Sequence, residues 1–458
     1  MKSTFLLLIL LAPFASEGQQ SCCKPSASAY HWGFSGNPGF SADRADWTSL
    51  KISAGAQPYL AFQDYGNERK ATVMKLEGNT WVTVGNAGFS GGIAHYPSLA
   101  FGSDGSASVA YQDVSNSNKA TVMKFDGTAW APIGAAGFTS GEADYTSLAF
   151  SPSGEPYVAF MDSDNAFKAS VMKFDGSNWV LVGMPGFSSD QAWYLNIAFS
   201  PSGEPHVAFG NVEKATVMKY DGTQWVYVGT PGFSAAGAPF PSLAFNAAGE
   251  PYVAFADYGN GQKATVMKYN GNAWVNVGNT GFTEGMAYYT SLAFGSSDEP
   301  YVAYQDSLNF SKASVMKFNG SDWEHVGQAG FSQEAADYIS LAIDQSGRPF
   351  VAFLDWANAM KATVMTYDSI FSGLREINGT GISIYPNPAS EKLNIAFPKA
   401  GTAVARVEVY QADGRKLSET FTFKESVLLD VTNFPAGVYI LRIQFEHSVL
   451  TGKFCKKQ

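Results

Sequence analysis

A Gly-Phe-Ser/Thr triplet returns seven times along the chain, its Phe standing at 40, 89, 138, 187, 233, 282 and 331, at a spacing of 49 residues with a single 46. Eight residues before each Phe comes a tryptophan: Trp32, Trp81, Trp130, Trp179, Trp225, Trp274 and Trp323. A fixed period of this length restricts the fold to units that bury their apolar faces only by stacking on one another. The third unit reads as four short strands, 146–150, 156–161, 168–174 and 178–182, separated by Ser-Gly-Glu-Pro and Asp-Gly turn signals. Four-stranded units of ~40 to 50 residues are the mark of propeller blades, since solenoid coils are shorter.

The ends of the array argue for a closed ring. The last unit, 340–367, lacks a Trp strand, and the chain begins with an orphan one at 30–36. That permutation is useless to an open stack, whereas in a ring it joins first to last and removes the exposed sheet edges. The expected fold is therefore all-β, a seven-bladed β-propeller over 30–367 closed by its N-terminal strand.

Charged residues make up only 15%, against ~25% in an ordinary soluble domain, while aromatics reach 14% and glycines number 46, which suits many short strands and tight turns. A net charge of −10 argues against nucleic acid, because phosphate binding needs a basic surface. Met1 and Lys2 lead into the apolar run 5–11 and then small residues to Gly18, the anatomy of a signal peptide over 1–18, too short to span a bilayer. Residues 19–29 form an N-terminal segment. Of three cysteines, Cys22 and Cys23 are adjacent and Cys455 is remote, so their pairing stays open, and no metal-ligand spacing is present.

After Tyr367 the repeat stops, and a linker over 368–381 leads to a different composition. This stretch holds Tyr385-Pro386-Asn387-Pro388, the run LDVTNFPAGVYILR at 429–442 and a basic close, Gly452-Lys453-Phe454-Cys455-Lys456-Lys457. Alternating apolar and polar runs between turns predict a small C-terminal β-sandwich. In these motifs residues 382–458 resemble the C-terminal (type A) sorting domain of type IX secretion cargo. The resemblance implies engagement of the type IX machinery and a protein secreted from, or attached to the outer surface of, a Gram-negative bacterium, with no transmembrane span. Cys455 departs from the apolar residue usual in that family.

Two repeated elements are candidates for ligand binding on the face that carries the variable loops. Seven residues after each repeat Phe comes Trp47, Tyr96, Tyr145, Tyr194, Phe240, Tyr289 or Tyr338, just before the innermost strand. These either ring the channel mouth, where aromatic faces stack on sugars, or wedge between blades. An Asp-x-x-Asn-x-x-Lys element at the second-to-third strand loop supplies Asp64, Asp113, Asp162, Asp257, Asp306 and Asp355. These either hydrogen-bond glycan hydroxyls or close turns onto their own backbone. The fourth unit breaks the pattern: it is three residues shorter between Phe209 and Lys214, lacks the loop Asp, and carries Trp193 and His206. It is either a unique site or drift.

Repetition favours multivalent recognition, with carbohydrate as the preferred partner and a surface protein, bound by an adhesin or structural module, as the alternative. No catalytic motif or cofactor signature is present, and carboxylates recurring at equivalent positions lack the distinct environments that a glycoside hydrolase requires. The chain is therefore expected to be a binding module and not an enzyme, with no cofactor and no metal.

Overall fold

The computed structural model describes residues 30–210, 214–369, 383–386, 389–396, 405–411, 415–422, 426–444 and 449–457. The signal-peptide and N-terminal segment readings, Cys22 and Cys23, and the linker beyond 369 lie outside the described residues. The described residues form two compact units, one spanning His31–Asp368 and one comprising the residues from Ser369 onward.

The larger unit holds seven four-stranded antiparallel sheets. Blade 3 is typical, with strands Ala143–Phe150, Pro156–Asp162, Lys168–Phe174 and Trp179–Leu181. The first strands of consecutive blades touch in sequence order, and the first strand of blade 7 touches that of blade 1, so the sheets close into a ring. Blade 7 pairs strand Tyr30–Phe34 with Lys361–Ser369, as the orphan Trp strand requires.

The tryptophan and phenylalanine of the repeat are the joint between blades. Each indole lies parallel to a repeat Phe at 3.9–4.4 Å, as Trp179 does on Phe138 and Trp32 on Phe331. Each indole N–H donates to a carbonyl of the preceding blade, Trp130 to Val84 at 2.7 Å and Trp32 to Val326 at 2.7 Å. The hydroxyl after the Phe, such as Thr139, accepts the buried N–H of Ala120 and donates to the Gly141 carbonyl. Gly85 is required at such a joint: a Cβ there would lie 2.9 Å from the Phe125 ring, and its φ of +69° disfavours any side chain.

The first strand of each blade has no further strand beside it, so one row of its backbone groups faces the bore. That edge is closed by side chains. Ser49, Ser98, Ser147, Ser242, Ser291 and Ser340, with Asn196, each accept the N–H of the Leu or Ile on the next blade's first strand at 2.9–3.1 Å. Ser340 to Leu50 completes the circle.

In the C-terminal unit a three-stranded sheet (Ser383–Tyr385, Lys392–Ala396, Ser426–Asp430) and a four-stranded sheet (Ala405–Gln411, Lys416–Thr422, Gly437–Gln444, Val449–Lys456) share one apolar core. Leu393, Ile395, Val407, Val409, Tyr439, Leu441, Ile443 and Phe454 fill it, as a sandwich demands. Cys455 is half-buried.

Candidate functional site

The seven aromatics meet one another around the channel mouth. Ring centroids are 4.6 Å apart for Trp47 and Tyr96, 4.7 Å for Tyr96 and Tyr145, 5.0 Å for Tyr145 and Tyr194, and 4.6 Å for Tyr194 and Phe240. The circle continues at 5.1 Å to Tyr289, 5.3 Å to Tyr338 and 4.6 Å back to Trp47. Every member is half-buried. The rings touch one another from blade to blade, and Tyr145 and Tyr289 also pack against the apolar cores between blades, which they share with the repeat Phe and Trp.

The backbone holds this ring at a cost. All seven aromatics have φ between 51° and 57°, a left-handed conformation costing a side-chain-bearing residue about 1–2 kcal/mol. In six blades the aromatic sits within a bulge, as between Asp144 and Ser147, that turns it out of the strand register. In blade 5, Pro239 and Pro241 flank Phe240, and the strand is confined to Ser242–Phe245. Strain repeated at one ring of positions marks a place where side-chain direction matters more than backbone comfort. Burial raises the pKa of the Tyr96, Tyr145, Tyr194 and Tyr289 phenols, and of Tyr338 to about 12, so all five stay neutral in physiological conditions.

The six loop aspartates stand elsewhere. Each is only 1–3% exposed and caps the short 3-10 turn that follows it. In blade 3, Asp162 Oδ1 accepts the Asp164 N–H at 3.2 Å, and Oδ2 accepts Asn165 Nδ2 at 2.9 Å and Ser170 Oγ at 2.7 Å. Asp64, Asp113, Asp257, Asp306 and Asp355 repeat this pattern. Enclosed and satisfied carboxylates offer nothing to a ligand, so turn closure, not sugar binding, is their role. The motif lysine is also not their ion partner: Lys70 pairs with Glu68 at 2.8 Å.

The residue immediately before each ring aromatic varies instead: Asp46, His95, Asp144, Trp193, Pro239, Tyr288 and Asp337 in blades 1 to 7. Blades 7, 1, 2 and 3 thus present a polar sector. Arg44 holds Asp46 at 2.7 and 3.1 Å, Gln63 Nε2 lies 3.0 Å from His95 Nδ1, Gln112 donates to Asp144, and Gln305 and Trp356 donate to Asp337. Burial, reinforced by the Arg69 charge, lowers the His95 pKa; burial raises that of Asp144. Arg69 has no carboxylate partner among the described residues, and its Nε is buried without an acceptor. Blades 4 to 6 present an apolar sector of Trp193, Pro239 and Tyr288. This column was missed in the sequence, although its variability amid strict repetition was the available signal.

The fourth blade divides. Trp193 lies at the mouth, 6.0 Å from Tyr145. His206 is buried and packs edge-on against Phe245 at 4.9 Å, just as Tyr157 meets Phe199, so it is a core residue. Residues 211–213, where the loop is shortened, lie outside the described ones.

Residues 383–457 match the secretion system C-terminal sorting domain. No curated protein matches the chain. Among solved structures it is similar to an ulvan lyase, a polysaccharide lyase bound to a GlcA(1-4)Rha3S saccharide, at 13% identity over 74% of this chain and 95% of that one, with a TM-score of 0.49. It is also similar to a Penicillium chrysogenum α-L-arabinanase complexed with arabinobiose, at 12% identity over 74% and 97%, TM-score 0.43. A third is an Aleuria aurantia lectin in complex with Fucα1-6GlcNAc, at 15% identity over 73% and 94%, TM-score 0.42. These likenesses are of fold alone. They overturn the expectation that the chain is not an enzyme, since lyase and arabinanase propellers stand among its neighbours and the architecture does not separate binders from catalysts. The expectation rested on equivalent carboxylates, and Asp46, Asp144 and Asp337 are not equivalent: Arg44, Gln112 and a Gln305–Trp356 pair hold them in turn. Among the described residues no helix is long and apolar enough to cross a membrane. With its sorting domain, the chain is type IX cargo, secreted or attached to the outer surface of the cell.

Proposed function

We propose that this secreted propeller engages carbohydrate through the face bearing the aromatic ring. The closed circle of seven strained aromatics carries the reading: it sets a continuous π surface beside fixed carboxylates, an imidazole and the Arg69 guanidinium. Sugars need both, apolar C–H faces stacking on rings while hydroxyls bond to planar polar groups. The polar sector of blades 7 to 3 would orient the ligand, and the apolar sector of blades 4 to 6 would bear its stacking face.

A glycan array probed with the secreted protein and with a Tyr145→Ala/Tyr289→Ala double variant tests this. Binding by the wild type that falls at least tenfold in a folded variant supports it; no binding, or equal binding, overturns it. Chromatography of a bound polysaccharide after incubation reads cleavage in the same samples.

One observation favours a protein partner instead. Phe310, 85% exposed, Leu308, Trp356 and Tyr258 stand on the second-to-third strand loops, and such apolar side chains are typical interface anchors. Loss of a captured surface protein on Phe310→Ser, with the array blank, would establish that reading.

A further inference from the structure

Lys51 stands on the first strand of blade 1, two residues beyond Ser49 and so on the same side of that strand. Its six counterparts in the other blades are all alanine: Ala100, Ala149, Ala198, Ala244, Ala293 and Ala342. The Lys51 side chain is exposed to solvent, yet desolvation lowers its pKa and no other influence acts on it. Its place on the innermost strand of the ring, on the side that carries Ser49, together with its exposure to solvent, puts it at the bore.

The bore also carries hydroxyl donors. Each of the six first-strand serines spends an oxygen lone pair on a neighbouring N–H, and among the described residues none of these hydroxyls donates its own proton to the protein. No ion pair of Lys51 exists among the described residues. Six lysines near the ends of the third strands of blades 1 to 6, Lys75, Lys124, Lys173, Lys219, Lys268 and Lys317, are by comparison paired with carboxylates at 2.7–3.3 Å. An ammonium without a counter-charge, beside free O–H donors and small apolar walls, is complementary to an anion that accepts several hydrogen bonds.

We propose that the bore holds one small oxyanion, carboxylate or sulfate, against Lys51 and the serine hydroxyls, supplied either as a free ion or as the acid group of a sugar. This site shares no residue with the aromatic face, so its failure leaves the glycan reading untouched.

The test is thermal unfolding of the full secreted protein and of Lys51→Ala in sodium sulfate, sodium glucuronate and sodium chloride at equal ionic strength. Alanine is native at this position in six blades, so the variant keeps the fold, and Lys51→Arg serves as the conservative control. With the anion at tenfold its Kd, the wild type and Lys51→Arg should gain about 2 °C more over chloride than Lys51→Ala does. The general stabilisation that sulfate gives any protein cancels in that difference. A gain with both anions supports a free oxyanion, and a gain with glucuronate alone supports an acid sugar. Equal gains in wild type and Lys51→Ala with both salts overturn the proposal.

Discussion

Trp32→Ala tests ring closure most directly. The Trp32 side chain is 9% exposed, lies 3.9 Å from the Phe331 ring and donates to the Val326 carbonyl, contacts that span almost the whole propeller sequence. Trp179 is equally buried, stacks on Phe138 at 4.0 Å and donates to Ile133 at 2.7 Å, but it belongs to an interior blade. Truncating a buried tryptophan costs about 3–5 kcal/mol. For a cooperative unit spanning His31–Asp368, with an unfolding entropy of about 2 cal/mol/K per residue, this lowers Tm by roughly 4–7 °C. In a closed ring both variants should fall by that amount and by nearly the same amount. If the N-terminal strand were a loose appendage, Trp32→Ala would shed only local structure while Trp179→Ala paid the full penalty. Differential scanning calorimetry decides: a Trp32→Ala shift under about 1 °C beside a normal Trp179→Ala shift would refute the reasoning.

Asp162→Ala should destabilise by about 2–4 kcal/mol, since it orphans Asn165 and Ser170, and should leave glycan affinity unchanged; urea unfolding and the array read the two parts. Burial depresses the His206 pKa, so the native state resists its protonation, and stability present above the unfolded-state pKa of about 6.5 declines as pH falls below it. His206→Tyr, which installs the residue found at 157, 252 and 301, should raise Tm at neutral pH and flatten its fall between about pH 6.5 and 5. Lys51→Ala in chloride alone should raise Tm slightly, because it removes an uncompensated charge.

Repetition made the architecture legible. The Trp and Phe periods, the four-strand units and the orphan strand at 30–36 translate directly into seven sheets and their closure, because each is a local pattern that stacking merely copies. The aromatic ring was legible as a set of positions, but not its left-handed backbone, since nothing in the residue types Trp, Tyr and Phe signals φ above zero. The loop aspartates misled for an instructive reason. Regular recurrence resembles a row of subsites, whereas a residue needed identically in six blades is one the fold itself consumes. The column Asp46, His95, Asp144, Trp193, Pro239, Tyr288 and Asp337 keeps no single residue type, so a search for repeated elements passes over it, and the register that aligns Asp46, His95 and Asp144 shows that they occupy one rim.

The strand that completes blade 7 is the first to be made, and its partner Lys361–Ser369 is the last of the ring, with the sorting domain following it in the sequence. A chain that stops within the repeats can neither close nor carry its export tag. Synthesis order thus acts as an inspection step: a chain that presents the sorting domain already contains every strand the ring requires, and fragments arrested within the repeats are left without the signal that would send them out.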